Sequence, residues 1–300
     1  MYNMDKLYEA VATRGHVCVG LDTSVEYIPE TELSRFSSNA EAVLAYNKSI
    51  VDATVDIAAC YKVQIAFYEE MGLKGMAAYA GTLAYIRSKG ALVIADIKRG
   101  DIADTADRYA RAHFDGDFEA DFVTLTPYLG MDSIEPWLKW ADKKGKGAFV
   151  LMRTSNKGRR DFECLELKEG SPPRLLFHAV GDKLAELAAT HTGKRGYGAF
   201  GAVVGAEGQS AEEREEAAAI RAAYPGLFFL IPGYGAQGGA ASDAAMLLRE
   251  GNGGVVNASR SILKAWQKSS LAPDEAARQA AIEMRDDILD TLRKNSSDHQ

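Results

Sequence analysis

The sequence predicts an α/β fold, a single (β/α)8 barrel of the TIM type with a short N-terminal helix. Two observations carry this prediction. Short apolar runs alternate eight times with helix-like stretches. No Pro/Ser-rich linker divides the pattern, so residues 1–300 read as one domain, a length that barrels of this class reach undivided. A doubly wound open sheet is the structural rival.

The elements follow in order. Leu7, Tyr8 and Val11 mark a short helix before the first strand. The apolar runs are 16–22, 59–67, 91–96, 121–126, 147–152, 199–205, 227–232 and 253–257, short and largely uninterrupted, as strands buried on both faces require. Between them lie helical stretches at 40–56, 75–88, 103–113, 133–143, 173–190, 211–223 and 240–249. A last one, 273–292, carries Ala277, Ala281, Met284, Ile288 and Leu292 as an apolar stripe. The polar tail 295–300 reads as frayed. Two connections are long, 23–39 and 155–171, and the second is dense in charge. Long loops in compact domains are lids or plain surface insertions, and the sequence leaves both open.

Composition narrows the function. An apolar fraction of 47% supplies a large core, and a net charge of −7 argues against nucleic-acid and membrane-surface partners. An anionic substrate stays possible, because the field inside a cleft can oppose the net charge. The three cysteines, Cys18, Cys60 and Cys164, are widely spaced and form no CxxC, so they are no disulfide framework. A reducing, cytoplasmic compartment is the expectation. The first residues lack an apolar signal core, and no stretch of 18 apolar residues exists.

The most informative segment is Ala95-Asp96-Ile97-Lys98-Arg99-Gly100-Asp101-Ile102. Residues two apart on a strand share a face, so Asp96 and Lys98 point the same way and Asp101 follows just past the strand end. Such a trio is costly to desolvate. A structural ion pair at a strand end is the plain explanation. Barrels, however, build active sites at the C-terminal ends of their strands, and other polar groups converge there. They are Asp22, Lys62 with Gln64, Arg153-Thr154-Ser155, the run Gly233–Gly239 and Asn257-Ala258-Ser259-Arg260.

The last two segments suit a phosphate. Glycines such as Gly235 admit an anion to the backbone, loops after strands seven and eight commonly hold phosphate, and Arg260 offers a planar fork. The five histidines are scattered without ligand spacing, so no metal is expected; a carboxylate magnesium site on Asp22 and Asp96 stays open. Flanking carboxylates keep Lys98 protonated, which suits a general acid rather than a Schiff base. The residues therefore suggest proton transfer or decarboxylation on a phosphorylated substrate without a cofactor.

The chain resembles the orotidine 5′-phosphate decarboxylase family, in its longer bacterial-type branch. The resemblance rests on CVGLDT (18–23), YKVQIAFYE (61–69), ADIKRGDIADTA (95–106), TLTPYLGMDS (124–133), LMRTSNKG (151–158), VVGAEG (203–208), IPGYGAQGG (231–239) and VVNASRSI (255–262). It departs from the family pattern at Val63 and Glu207. The resemblance implies cofactor-free decarboxylation of orotidine 5′-phosphate to UMP and CO2, a step of pyrimidine biosynthesis. It implies Lys98 as proton donor to C6 and Asp96 as the carboxylate beside the departing CO2. Lys62 and Asp101 complete an alternating charge network, and Asp22 and Lys62 hold ribose hydroxyls. It further implies Ser155 on the pyrimidine edge, and Gln237 with Arg260 on the phosphate. Asp101, Ile102 and Thr105 are implied to serve the partner site of a homodimer. Two other readings remain: a magnesium-dependent sugar-phosphate decarboxylase or aldolase of the same barrel superfamily, and a catalytically silent nucleotide-binding barrel.

Overall fold

The computed structural model describes residues 1–168, 174–206, 210–235 and 240–297. Eight of the strands close into an all-parallel barrel. They are β1 (Val17–Gly20), β2 (Cys60–Gln64), β3 (Leu92–Arg99), β4 (Phe122–Leu125), β5 (Gly147–Arg153), β8 (Phe200–Val204), β9 (Phe229–Pro232) and β10 (Gly254–Ala258). Their order around the barrel is β1-β10-β9-β8-β5-β4-β3-β2. Every strand neighbours its predecessor in this order, and β1 closes on β10 with Cys18 opposite Asn257. The barrel prediction holds, and the open sheet does not.

Two further strands, β6 (Glu166–Leu167) and β7 (Arg174–Leu175), pair antiparallel as a separate ribbon in the long connection after β5. No alternation of apolar and polar residues marks these two-residue strands. That connection also holds a 3-10 turn, Lys157–Asp161.

The period-2 alternation of the strands divides the core in two. Cys18, Cys60, Ile94, Phe122, Phe149, Val203, Leu230 and Val255 fill the barrel interior. Their sequence neighbours Val19, Tyr61, Val93, Ala95, Val123, Val150, Val204 and Val256 face outward against the helices. The N-terminal helix, Asn3–Arg14, belongs to the inner layer: Met4, Leu7, Ala10 and Val11 pack under the barrel. Asn3 donates to Asp121 Oδ1, and Asp5 Oδ1 accepts from the Arg195 backbone N–H. The N-terminal end of the barrel is thereby plugged, and polar groups at the other end face an opening.

The outer helices start and stop where local chemistry directs. Ser38 caps Asn39–Thr54 by accepting from the Glu41 N–H. Ser210 and Glu213 form a capping box on Ala211–Ala223. The last helix, Pro273–Ser297, runs past the predicted stop, so Asn295–Ser297 are helical rather than frayed. Residues 298–300 lie outside the described residues. Among the described residues, no helix is long and apolar enough to cross a membrane. Cys18, Cys60 and Cys164 are free thiols, the first two buried.

Candidate active site

β2 and β3 lie side by side with Lys62 opposite Ile94 and Gln64 opposite Asp96. Lys62, Gln64, Asp96 and Lys98 all point into the open end of the barrel, as alternation requires. Lys62 and Asp96 are buried, with 5% and 6% of their surface exposed. The Lys62 ammonium lies between two carboxylates, 2.9 Å from Asp22 Oδ1 and 2.9 Å from Asp96 Oδ2. Lys98 Nζ is 2.6 Å from Asp96 Oδ1 and about half exposed. The result is a chain of alternating charge, Asp22–Lys62–Asp96–Lys98. Burial alone would push Lys62 down, yet Asp22 and Asp96 outweigh it and hold the ammonium above the usual lysine range. Burial alone would raise Asp96, yet Lys62 and Lys98 hold it well below the usual carboxylate range. Both groups are therefore charged at neutral pH.

Asp22 and Asp96 face a protein cation between them. The Lys62 ammonium already takes the position between them where a cation would sit. Among the described residues, no cluster of three or more His, Cys, Asp or Glu is arranged around a metal position. Among the described residues, His16, His113, His178 and His191 line neither carboxylate's surroundings at the open end. His16 is in the core, where burial lowers it to about 4, with Nε2 2.9 Å from the Gly251 carbonyl. His113 is likewise buried and lowered to about 4.

Lys98 reaches its place through an irregularity. The β3–β4 register shifts between Ala95, opposite Val123, and Arg99, opposite Leu125. Lys98 has φ +42°, in the left-handed region, which costs a non-glycine residue roughly 1–3 kcal/mol. The strand thus runs to Arg99, three residues beyond the predicted end. The Thr124 hydroxyl fills the bulge, accepting from the Ile97 and Lys98 N–H groups at 3.0 and 2.9 Å.

The open end holds two lobes that meet at Lys62, Asp96 and Lys98. The larger, about 440 Å³, runs past Asp22 and Tyr27 to Gly233, Tyr234, Ser259 and Arg260. The smaller, about 230 Å³, is walled by Leu151, Val203, Leu230 and Pro232, with Thr154, Ser155 and Asn156 at its edge. One lobe is thus polar and cationic at its far end, and the other is flat-sided and apolar. Gly20 makes the close packing at the β1 end possible: a Cβ there would lie 1.9 Å from Ser259 Oγ, which donates to Asp22 Oδ2 at 3.0 Å. Gly233 and Gly235, with φ of +115° and +74°, turn the chain after β9.

A family profile described as orotidine 5′-phosphate decarboxylase / HUMPS matches residues 15–277. The chain belongs to this family. It is 53% identical over 292 residues to orotidine 5′-phosphate decarboxylase of Clostridium perfringens (strain SM101 / Type A), covering 97% of this chain and 99% of that protein. It is 51% identical over 292 residues to the enzyme of that name from Clostridium acetobutylicum, covering 96% and 99%. The structure of Leishmania donovani OMP decarboxylase superposes with a TM-score of 0.75 at 33% identity, covering 97% and 99% of the two chains.

The residues on which the decarboxylase resemblance rested do not all gather. Asp22, Lys62, Asp96 and Lys98 form one connected network, and Ser155 and Arg260 line its two lobes. Among the described residues no carboxylate pairs with Arg260, so its guanidinium is available to an anion. Gly235 lies beside Arg260, both lining a further hollow of the same rim. Gln237 lies outside the described residues.

Asp101, Ile102 and Thr105 line neither lobe. Among the described residues, Asp101 accepts from the Ile102 N–H alone, and Ile102 is 49% exposed. Arg153 also departs from expectation. It is fully buried and turns away from the rim, with Nε 2.7 Å from Glu216. Glu163, from the long connection, accepts from the Thr154 N–H and Oγ1 and so braces the loop that carries Ser155.

Asn257, Ser259 and Tyr234, read from the sequence as rim groups, line the lobes; Thr124, which was not singled out, lines the smaller one as well. Inward alternation from Phe122 would have found Thr124, since a polar side chain two positions along a barrel strand faces the site.

Proposed function

We infer that this chain decarboxylates orotidine 5′-phosphate to UMP and CO2, in pyrimidine biosynthesis. One observation carries the chemistry: Lys98 Nζ stands 2.6 Å from a charged, buried carboxylate at the junction of an apolar and a cationic lobe. The pyrimidine goes to the lobe of Leu151, Val203 and Leu230, with Ser155 on its edge. The ribose lies over Asp22 and Lys62. The phosphate reaches Gly235 and Arg260, with Gln237 completing its ligands.

In that pose the C6 carboxylate meets the Asp96 carboxylate. The bond from C6 to the carboxylate breaks, its electron pair stays on C6, and CO2 leaves. Lys98 donates its proton to C6 and regains one from solvent, to which it is half exposed. Lys62, itself held by Asp22, keeps Asp96 in place and ionised, so no reorganisation is required as charge develops. The remote phosphate contributes only through contacts that strengthen toward the transition state.

The active unit in this reading is a homodimer in the cytoplasm. Asp101, Ile102 and Thr105 reach the partner's network, which accounts for their lack of a role in their own site. Exposed Ile102, Tyr128, Leu129 and Phe162, on the loops after β3, β4 and β5, support an interface there.

A turnover assay following the loss of orotidylate absorbance, with and without EDTA, tests the reaction. Turnover unchanged by EDTA is expected. A rate lost to EDTA and restored by Mg²⁺ would favour the sugar-phosphate reading. UMP binding without any turnover would leave a silent nucleotide-binding barrel.

The phosphate assignment has its own test. Arg260→Ala should raise KM and lower kcat/KM by about 3 kcal/mol, roughly a hundredfold, because a charge-assisted phosphate contact is lost. Guanidinium in the buffer should restore part of the rate. An unchanged KM would move the phosphate away from Arg260.

A further inference from the structure

The Thr124 side chain is buried in the wall of the smaller lobe, 1% exposed, and stands where β3 leaves its register. A hydroxyl has one proton and two lone pairs. Here both lone pairs are used by the N–H groups of Ile97 and Lys98, at 3.0 and 2.9 Å. The proton has one remaining direction, and it points to Asp96 Oδ1 at 2.8 Å. The same oxygen accepts from Lys98 Nζ, while Oδ2 accepts from Lys62 Nζ and Gln64 Nε2, each at 2.9 Å. The Asp96 carboxylate thus has two donors on each oxygen. Thr124 is the uncharged partner that touches both the carboxylate and the backbone of the lysine.

We propose that Thr124 is a positioning residue for decarboxylation: its hydroxyl fixes the backbone bulge that presents Lys98 and, through the same atom, the orientation of the Asp96 carboxylate. The two reacting groups are thereby held in one relative geometry from a neighbouring strand. At the bulge two successive amides turn to the β4 side, and one side-chain oxygen satisfies both. Without that oxygen, Lys98 has no device holding it in a left-handed conformation, and Asp96 loses one of the two donors on the oxygen that faces Lys98.

The proposal rests on the reading that Lys98 and Asp96 carry orotidylate decarboxylation. Its test is steady-state kinetics of Thr124→Val and Thr124→Ser, with UMP affinity measured by calorimetry on the same preparations. Valine keeps the shape and removes the hydroxyl. Thr124→Val should lower kcat by about a hundredfold, the size of effect a displacement of ~1 Å produces, with UMP affinity within about threefold of the parent. Thr124→Ser keeps the hydroxyl and should retain most of kcat. If the valine variant does not fold, Thr124→Ala replaces it, since the smaller side chain leaves room for a water to satisfy the two amides without fixing the carboxylate.

A kcat within about threefold of the parent in a hydroxyl-free variant overturns the proposal, as does a serine variant as slow as the valine one. A parallel loss of UMP affinity also overturns it, because the effect would then be on the whole lobe. A parent chain without orotidylate turnover would remove the underlying reading instead, and is recognised before any variant is made.

Discussion

Lys98→Ala is expected to abolish turnover while the chain remains folded and binds UMP. Lys98 is half exposed and makes one ion pair, to Asp96 Oδ1. Its removal leaves Asp96 with Lys62, Gln64 and Thr124 as donors, so the buried carboxylate is not stranded. The core therefore has little reason to yield. The chemistry has every reason to. Proton delivery by a placed acid contributes typically ~10²–10⁴ in rate, and in the proposed reaction the same ammonium would stabilise charge developing at C6. A fall in kcat of about 10⁴ or more is the expected result, with the Kd for UMP changed little. A variant within about tenfold of the parent, roughly 1.4 kcal/mol, would show that the proton comes from elsewhere. Calorimetry with UMP and a thermal melt separate this outcome from simple unfolding.

The barrel was legible because its signal is redundant. Eight apolar runs of strand length, each followed by a helix-like stretch, leave few other topologies, and all eight became barrel strands. Pairing of Asp96 with Lys98 followed from period 2. Their place in β3 did not, because the strand continues through a left-handed residue that no propensity favours. What stabilises that departure is a hydroxyl on the next strand, a tertiary contact that β3 alone cannot announce.

The convergence of Asp22, Lys62 and Asp96 was legible only as three rim residues on adjacent strands. That Lys62 sits between both carboxylates depends on strand pairing, which places β1, β2 and β3 side by side. Arg153 misled for the opposite reason: a charge at a strand end looks like a rim group, but this one is neutralised by Glu216 on the helix Ala211–Ala223. The β6–β7 ribbon is two residues per strand, too short for any alternation to register.

A shared active site makes a prediction that no single-chain site can meet. Among the described residues, Asp101 accepts a hydrogen bond from the Ile102 N–H alone, and it lines neither lobe beside Lys98. If it acts across a two-fold dimer, each site takes Lys98 from one protomer and Asp101 from the other. Lys98→Ala and Asp101→Ala homodimers should then both be nearly inactive, because every site lacks one group. Mixing the two and letting subunits exchange should restore activity. In a heterodimer, one site carries both defects and the other carries none. At random pairing about half the dimers are heterodimers, so roughly a quarter of all sites are intact, by the symmetry of an isologous interface. Recovered activity should approach that fraction of the parent. Lys98→Ala is the right partner for this test, since its site is expected to keep binding UMP and to lose chemistry alone. If mass measurement shows heterodimers and activity stays at the level of the separate variants, Asp101 acts within its own subunit. The loop after β3 would then have to close inward on substrate, carrying Asp101 to the Lys62–Asp96–Lys98 network of the same chain.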